Sequence, residues 1–360
     1  ATSVARLLLQ VSAWSKYFPW KQNHANAVLT PLQYISSSRT SSRCRFACSA
    51  AGGSLNKSLV VDTDMGPDDI AAIALLASNH IPIHLVTTVH GVCGDRLAAE
   101  LARRIVNALW PHCVKVVPGA PRPRADDALA LEPWMLDRRM QLADFNMRAR
   151  LPADESIEHH PSADDAADAI LRVLSDSEES TTILALGPLS NVARAVEKDP
   201  AEFCRKVDGI VFAGESSSCG RNICFNARLD LAALETVLRA QVPIVFVGSR
   251  SRMQSDDFYA RLGAYEVVDS LPAYLISEMS ALRPSCIVDD PTAASYILRP
   301  DIFDCELVEV VCDAVGHRFC RVDGSEFSWQ NAARTTVLEA KTSRSDEFVQ
   351  LLRSALTKRG

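Results

Sequence analysis

The first 57 residues contain neither Asp nor Glu. They hold seven basic residues (Arg6, Lys16, Lys21, Arg39, Arg43, Arg45 and Lys57), so with a net charge of −6 for all 360 residues, the rest of the chain carries −13. An acidic body of that kind argues against nucleic acid as a partner, because a nucleic-acid surface needs a basic footprint. No apolar run approaches the ~20 residues of a spanning helix, so no membrane span is expected. The eleven cysteines are odd in number and include no C-x-x-C pair. That excludes a recognisable zinc or disulfide framework and leaves the expectation of buried or free thiols in a reducing compartment. Hydrophobic residues make up 48% of the chain, enough for a large core and too many for global disorder.

The acid-free segment is rich in Ser and Arg, most densely from Ser36 to Arg45. Val4, Leu7, Leu8, Val11 and Trp14 fall at helical spacing near Arg6 and Lys16. This is the composition of a mitochondrial transit peptide, with a plastid address as the alternative. Arg6 and Gln10 interrupt the apolar stretch and disfavour a secretory signal. Residues 1–57 have no core of their own. Their apolar side chains, among them Trp14, Trp20, Tyr34 and Ile35, are candidate anchors on other protein subunits, packing on the chain's own domain being the alternative.

From residue 58 to 360 one domain is expected. Short apolar runs alternate with helical stretches: strands at Leu59–Val61, Ile83–Thr88, Val114–Val117, Thr182–Leu186, Ile210–Phe212 and Ile244–Val247, and helices at Asp69–Ser78, Leu97–Leu109, Ala163–Leu174, Leu189–Glu197 and Leu231–Arg239. That alternation predicts an α/β fold, an open and mostly parallel sheet with helices on both faces. The charged, Pro-rich stretch Arg122–His160 reads as a long loop or insertion. Residues 251–355 read as mostly helical, with one strand near Leu307–Val311.

The unusual polar motifs fall at the carboxyl ends of the expected strands, where ligands sit in such sheets. The first is Asp62-Thr63-Asp64-Met65-Gly66-Pro67-Asp68-Asp69. Four carboxylates within eight residues repel one another, and buried at a strand end they need a compensating cation. Oxygen ligands select Ca²⁺ or Mg²⁺, and a flexible carboxylate-rich loop suits Ca²⁺ better. Gly66 permits the turn that folds the second pair of acids back onto the first. The same residues also permit a plainer reading, a solvated acidic turn that caps a helix and holds no ion.

This string closely resembles the D-T-D-x-G-x-D-D signature of the inosine–uridine nucleoside hydrolase family. Thr87-Thr88-Val89-His90-Gly91 resembles its T-T-V-x-G block, Leu186-Gly187-Pro188-Leu189-Ser190-Asn191 its G-P-L-T-N block, and Asp290-Pro291-Thr292-Ala293 the second half of its H-D-P-x-A block. The resemblance runs from about residue 58 to about residue 355. It implies a Rossmann-like core and a bound Ca²⁺ that holds ribose hydroxyls and an attacking water. Residue by residue it implies Asp64 as metal ligand and general base, Asp69 and Asp290 as metal ligands together with the Leu186 backbone carbonyl, Asp68 and Asn226 as contacts to a nucleoside or ribose, and Asp62 as support. The reaction would be cleavage of an N-glycosidic bond through an oxocarbenium-like transition state.

The departures are selective. The position of the family's leaving-group His is Asp289, the Asn that closes the second block is Val92, and the Glu before the sugar-binding Asn is Cys224. The metal carboxylates survive while groups that contact sugar and base are lost. Loss of a positioned acid costs on the order of 10²–10⁴ in rate. Two readings follow. In one, the chain is a non-catalytic family member in a mitochondrial or plastid assembly. In the other, it is an active, divergent Ca²⁺-dependent nucleoside N-ribohydrolase. Arg228 and Phe225 are candidates for filling the pocket in the first case, and the composition leaves homo-oligomer formation open.

Overall fold

The central strands of the sheet split their residues between two cores. In β1 (Ser58–Thr63) Leu59 and Val61 join one apolar cluster and Val60 joins the other. In β4 (Thr181–Ala185) Leu184 faces one side, and Ile183 and Ala185 face the other. Period-two alternation with both faces buried is what a sheet covered by helices on each side requires. The computed structural model describes residues 58–111, 113–123, 132–153, 162–216, 223–248, 255–263, 266–322, 332–342 and 344–357. The basic arm, and with it the expected subunit anchors, lies outside the described residues.

In chain order the first half contains β1, α1 (Pro67–Ser78), β2 (Leu85–Thr88), α2 (Asp95–Leu109), β3 (Lys115–Pro118), α3 (Pro133–Arg148), α4 (Ala163–Asp176), β4, α5 (Ser190–Lys198), α6 (Pro200–Lys206) and β5 (Val207–Phe212). The second half contains α7 (Phe225–Leu229), α8 (Leu231–Arg239), β6 (Ile244–Phe246), α9 (Ser255–Leu262), α10 (Leu271–Leu282), a 3₁₀ turn at Pro284–Val288, α11 (Asp290–Leu298), β7 (Phe303–Asp313), β8 (Arg318–Arg321), β9 (Ala333–Thr342) and α12 (Ser345–Thr357). The nine strands lie in the order β3-β2-β1-β4-β5-β6-β9-β7-β8. All pairings from β3 through β6 to β9 are parallel, and β7 runs antiparallel to both β9 and β8. The open, mostly parallel α/β sheet expected from the pattern is therefore present.

Helix α1 is apolar on all sides, and Ile70 to Leu76 are fully buried. A helix of that kind is stable only inside a core, where each large aliphatic side chain contributes about 1.5–3 kcal/mol. It starts abruptly because Gly66 caps it, Pro67 occupies the first turn without needing an acceptor, and Asp68 and Asp69 sit at its positive end.

Two readings of the sequence need correction. The segment Arg122–His160 is not one long loop, since it contains the sixteen-residue helix α3. Its Pro133 stands at the helix start, where proline is tolerated, and Met135, Leu142 and Phe145 form a buried stripe among outward charges. Arg104 of α2 closes the far end, donating from Nε to the Pro152 carbonyl at 2.9 Å and from Nη2 to the Leu151 carbonyl at 3.2 Å. Among the described residues the region after residue 251 holds three strands, not one. Strand β9 was masked by its charges. It pairs with β7 along ten register positions, and ion pairs join the two strands on both faces, Glu309–Arg334 on one and Glu306–Lys341 on the other.

Seven described cysteines, Cys93, Cys113, Cys204, Cys224, Cys286, Cys305 and Cys312, are free, whereas Cys320 is disulfide-bonded, against the expectation of thiols throughout. Among the described residues no helix is long and apolar enough to cross a membrane.

Candidate active site

The strand order reverses between β1 and β4. The chain leaves β1 towards β2 and β3 on one side, and β4 leads to β5 and β6 on the other. Connections diverge there, and a crevice opens beyond the carboxyl ends of the strands. A cavity of about 290 Å³ lies at that end of the sheet. It is lined by Asp64, Asp68 and Asp69 after β1, Val92 after β2, Leu186 after β4, Ala213 to Glu215 after β5, and Val247 and Gly248 after β6. Trp134 of α3, Cys224, Phe225 and Asn226 around the start of α7, and Arg283, Asp289 and Asp290 complete it.

The acidic turn is held by its own backbone. Met65 sits at φ +56°, a left-handed conformation that costs a non-glycine residue roughly 1–3 kcal/mol and that the surrounding core must enforce. Asp69 is the hub. Its Oδ1 accepts the Thr63 hydroxyl at 2.5 Å and the Asp64 N–H at 3.1 Å, and its Oδ2 accepts the Gly66 N–H at 3.1 Å. Asp64 accepts the N–H of Gly66 on Oδ1 at 3.1 Å and that of Val92 on Oδ2 at 2.9 Å. Gly91 is obligatory here, because a Cβ at that position would lie 1.9 Å from Asp64 Oδ2.

Asp62 lies one layer below. Its Oδ1 accepts the Thr87 hydroxyl at 2.6 Å and the Asn191 amide at 2.8 Å, while Oδ2 is buried without a hydrogen-bond partner. It ties the end of β1 to β2 and to the start of α5 and does not line the cavity.

Burial dominates the electrostatics. It pushes Asp62 up to about 7, against the hydrogen bonds from Thr87 and Asn191. It pushes Asp64 up to about 6, with the Asp68 charge adding to the rise. Asp69 and Asp290 are raised well above the ordinary carboxylate range, by burial first and then by their acidic neighbours. Each shift records the cost of an uncompensated buried negative charge.

Carboxylate oxygens of Asp68, Asp69 and Asp290 come within 4.8 Å of one another. Asp68 Oδ1 is buried and has no hydrogen-bond partner. A buried orphan acceptor in an all-oxygen set fits a hard divalent cation. Of the carboxylates expected to hold a metal, Asp69 and Asp290 stand in this trio beside Asp68, and Asp64 lines the same cavity with its oxygens accepting backbone N–H groups. The Leu186 carbonyl, expected to face a metal, accepts Asn226 Nδ2 at 2.6 Å, and the same amide reaches the Ala213 carbonyl at 3.0 Å.

Arg283 was not singled out in the sequence. Its Nη1 lies 3.0 Å from Asp68 Oδ2 and its Nη2 lies 2.6 Å from Asp289 Oδ2. Burial works against the guanidinium charge, but the carboxylates of Asp68 and Asp289 outweigh it and hold its pKa above the ordinary value. Only the proximity of Asp289 in sequence hinted at this residue. Trp134 was missed because it lay in the presumed loop. Its ring centroid is 5.4 Å from that of Phe225 at the cavity wall, and its indole N–H donates to Glu132 Oε2 at 2.6 Å. Phe225 thus lines the cavity, while Arg228 lies over the Phe225 ring and pairs with Glu132 at 2.8 Å.

The family model described as inosine-uridine preferring nucleoside hydrolase matches residues 59–350. The non-specific ribonucleoside hydrolase RihC of Salmonella agona (strain SL483) is 26% identical over 269 residues, which cover 72% of this chain and 84% of that protein. A solved plant nucleoside hydrolase, the PpNRh1 enzyme, superposes with a TM-score of 0.63 at 21% identity, covering 84% of this chain and 100% of its own. The inosine-uridine preferring nucleoside hydrolase from Bacillus anthracis gives 0.65 at 17% identity, with coverage of 84% and 100%. With the acidic turn at the strand switch, the matching blocks around it and a family match across nearly the whole described body, this chain belongs to the inosine-uridine preferring nucleoside hydrolase family.

Proposed function

We propose that this chain is a non-catalytic member of its family, which keeps a Ca²⁺-binding acidic pocket and has lost the means to expel a nucleobase. The observation that carries this reading is the Arg283–Asp289 pair at 2.6 Å. Cleavage of an N-glycosidic bond needs a proton, or an equivalent donor, for the departing base. The residue at the position of the family's leaving-group His is Asp289. It accepts a charge-assisted hydrogen bond from an arginine, and in that arrangement it is an acceptor, not a proton donor.

Two neighbouring changes act in the same direction. Val92 contributes only its backbone N–H to the site, and that N–H is used on Asp64. Cys224 offers a weak thiol donor whose pKa burial raises further. Asp68, Asp69 and Asp290 would hold the cation. Bound there, it would supply positive charge that offsets the carboxylates and polarises the hydroxyls of a sugar. Asn226 and Asp64 line the cavity wall on which a ribose would rest.

One observation favours an active hydrolase instead. The cavity is not filled by side chains, and Asp64 remains exposed to it as a candidate base. Incubation of the purified full-length chain with inosine and with uridine at saturating Ca²⁺, with release of free base measured, separates the two. The non-catalytic reading expects no release above a boiled control. Turnover that disappears in Asp64→Ala would overturn it in favour of the active enzyme.

The acid-free, Ser- and Arg-rich composition of residues 1–57 supports a mitochondrial location, with a plastid as the alternative. The apolar residues of that arm support a role as a subunit docked on other proteins. Import of the arm fused to a fluorescent reporter, and recovery of the full chain in a complex larger than its own oligomer, test this part of the reading.

A further inference from the structure

The loop after β2 turns three of its backbone N–H groups onto the acidic turn, while that of His90 donates to the Ala120 carbonyl at 2.8 Å. Val89 N–H donates to the Thr63 carbonyl at 2.9 Å, Val92 N–H to Asp64 Oδ2 at 2.9 Å, and Cys93 N–H to the Asp64 carbonyl at 3.3 Å. The loop therefore acts as the mould of the acidic turn. Its own carbonyls need something to hold them. Arg139, on the second turn of α3, donates from Nε to the Val92 carbonyl at 2.9 Å and from Nη2 to the Gly91 carbonyl at 2.9 Å. Its guanidinium also packs 3.8 Å from where a Cβ on Gly94 would lie, so it spans the loop from Gly91 to Gly94.

Among the described residues Arg139 makes no ion pair, although Asp64 and Asp69 lie on the other side of the loop. A planar fork that binds two successive carbonyls fixes the peptide between them against rotation. The peptide it fixes is the one whose N–H, that of Val92, reaches Asp64 Oδ2.

We propose that Arg139 is a positioning residue for the cation site, acting on Asp64 through the Gly91–Val92 peptide. This deepens the proposed function, since it assumes that the acidic pocket takes a cation. Helix α3 is then more than a cover for the core. Its inner face anchors it through Met135, Leu142 and Phe145, and one turn places Arg139 beneath the loop. Losing the fork frees the peptide to rotate, and the Asp64 carboxylate loses the donor that aims it along the cavity wall. Removal of an outer residue that orients a metal site typically weakens metal binding roughly 10–100-fold.

The test compares the full chain with Arg139→Met and Arg139→Lys by two readouts. The first is calorimetric titration with Ca²⁺ alone. Arg139→Met is expected to bind at least about tenfold more weakly, and Arg139→Lys, which can satisfy one carbonyl, to fall between. The second is amide exchange measured by NMR on the metal-free protein. The Val92 amide is expected to exchange at least about tenfold faster in Arg139→Met, with amides of β5 such as Val211 unchanged. Unaltered Val92 protection in a folded Arg139→Met protein overturns the proposal, as does a Ca²⁺ affinity equal to wild type. If wild type binds no Ca²⁺, the cation reading fails on its own, and the Val92 exchange rate still decides whether Arg139 holds the loop. If Arg139→Met does not fold, Arg139→Lys carries the same two comparisons.

Discussion

Arg283 and Asp289 lie six residues apart and meet at 2.6 Å in the cavity wall, where the same guanidinium also grips Asp68. A residue just after α10 thereby joins Asp289 to the acidic turn that follows β1. The pair is partly buried, so its hydrogen bonds are less weakened by water than those of a surface ion pair.

Asp289→Asn is expected to lower stability by roughly 1–3 kcal/mol, because it removes a charged acceptor from Arg283 while the guanidinium stays partly buried. Urea unfolding monitored by circular dichroism measures the change. Nucleoside cleavage is expected to stay at the wild-type baseline, since Asp289 transfers no proton in the proposed reading. A drop in base release below wild type would show that it does.

The metal response should depend on pH in a definite sense. Asp62 and Asp64, at about 7 and about 6, have folded-state pKa values raised by burial above those of an unfolded chain. Such groups favour the metal-free fold at low pH, where they are protonated in both states, and that contribution is lost as pH rises through about 6 to 7. Ca²⁺ requires the ionised carboxylates and compensates them. The melting temperature of the metal-free chain is therefore expected to fall between about pH 5 and about pH 8, and the gain on adding Ca²⁺ to grow across the same window. Differential scanning fluorimetry with EDTA and with Ca²⁺ at each pH measures both. A Ca²⁺ gain that shrinks as pH rises contradicts the assignment.

Gly91→Ala places a methyl group where Asp64 Oδ2 now lies, at 1.9 Å. The neighbour is a carboxylate pinned by two backbone N–H groups, so relief requires the acidic turn to move. A destabilisation of about 1–3 kcal/mol is expected, together with a loss of Ca²⁺ affinity greater than the loss of stability alone would produce. Gly263→Ala, which strains a left-handed backbone at φ +64° but has nothing within 4 Å of its added methyl, is the control, expected to lose stability without losing Ca²⁺ affinity.

Asp62→Asn tests the support beneath the turn. The amide can accept the hydrogen bonds of Thr87 and Asn191 and removes a buried charge whose second oxygen has no partner. In metal-free protein at about pH 8 the substitution is expected to be neutral or mildly stabilising, as replacing an uncompensated buried charge usually is. Thr87→Val, which leaves the Asp62 carboxylate one donor short, is expected to destabilise by about 1–3 kcal/mol. Equal losses in both variants would indicate that the Asp62 charge itself is needed.

What local sequence determined is the chemistry of the turn and the strand ends. Asp62, Asp64, Asp68 and Asp69 are neighbours in the chain, the apolar runs before them alternate with period two, and Gly66-Pro67 starts a helix whatever lies around it. Those features depend on residues a few positions apart, and so they were readable before the fold was known. The resemblance to a known family extended that reading to Leu186, Asn226 and Asp290.

Tertiary structure decided the rest. Helix α3 was hidden because its apolar stripe is narrow and its charges face outward, and only packing on α2 makes it a helix with a purpose. Strand β9 was hidden because its partners β6 and β7 come from distant parts of the chain, and charges that are paired only in the fold interrupt its apolar pattern on both faces. The meeting of Arg283 with Asp68 spans 215 positions, and that of Arg139 with Gly91 spans 48. Neither leaves a local pattern, because a hydrogen bond between distant segments depends on where the sheet and its helices bring them. The acids of this pocket could be read from the chain, but the arginines that hold and neutralise them were placed by the fold.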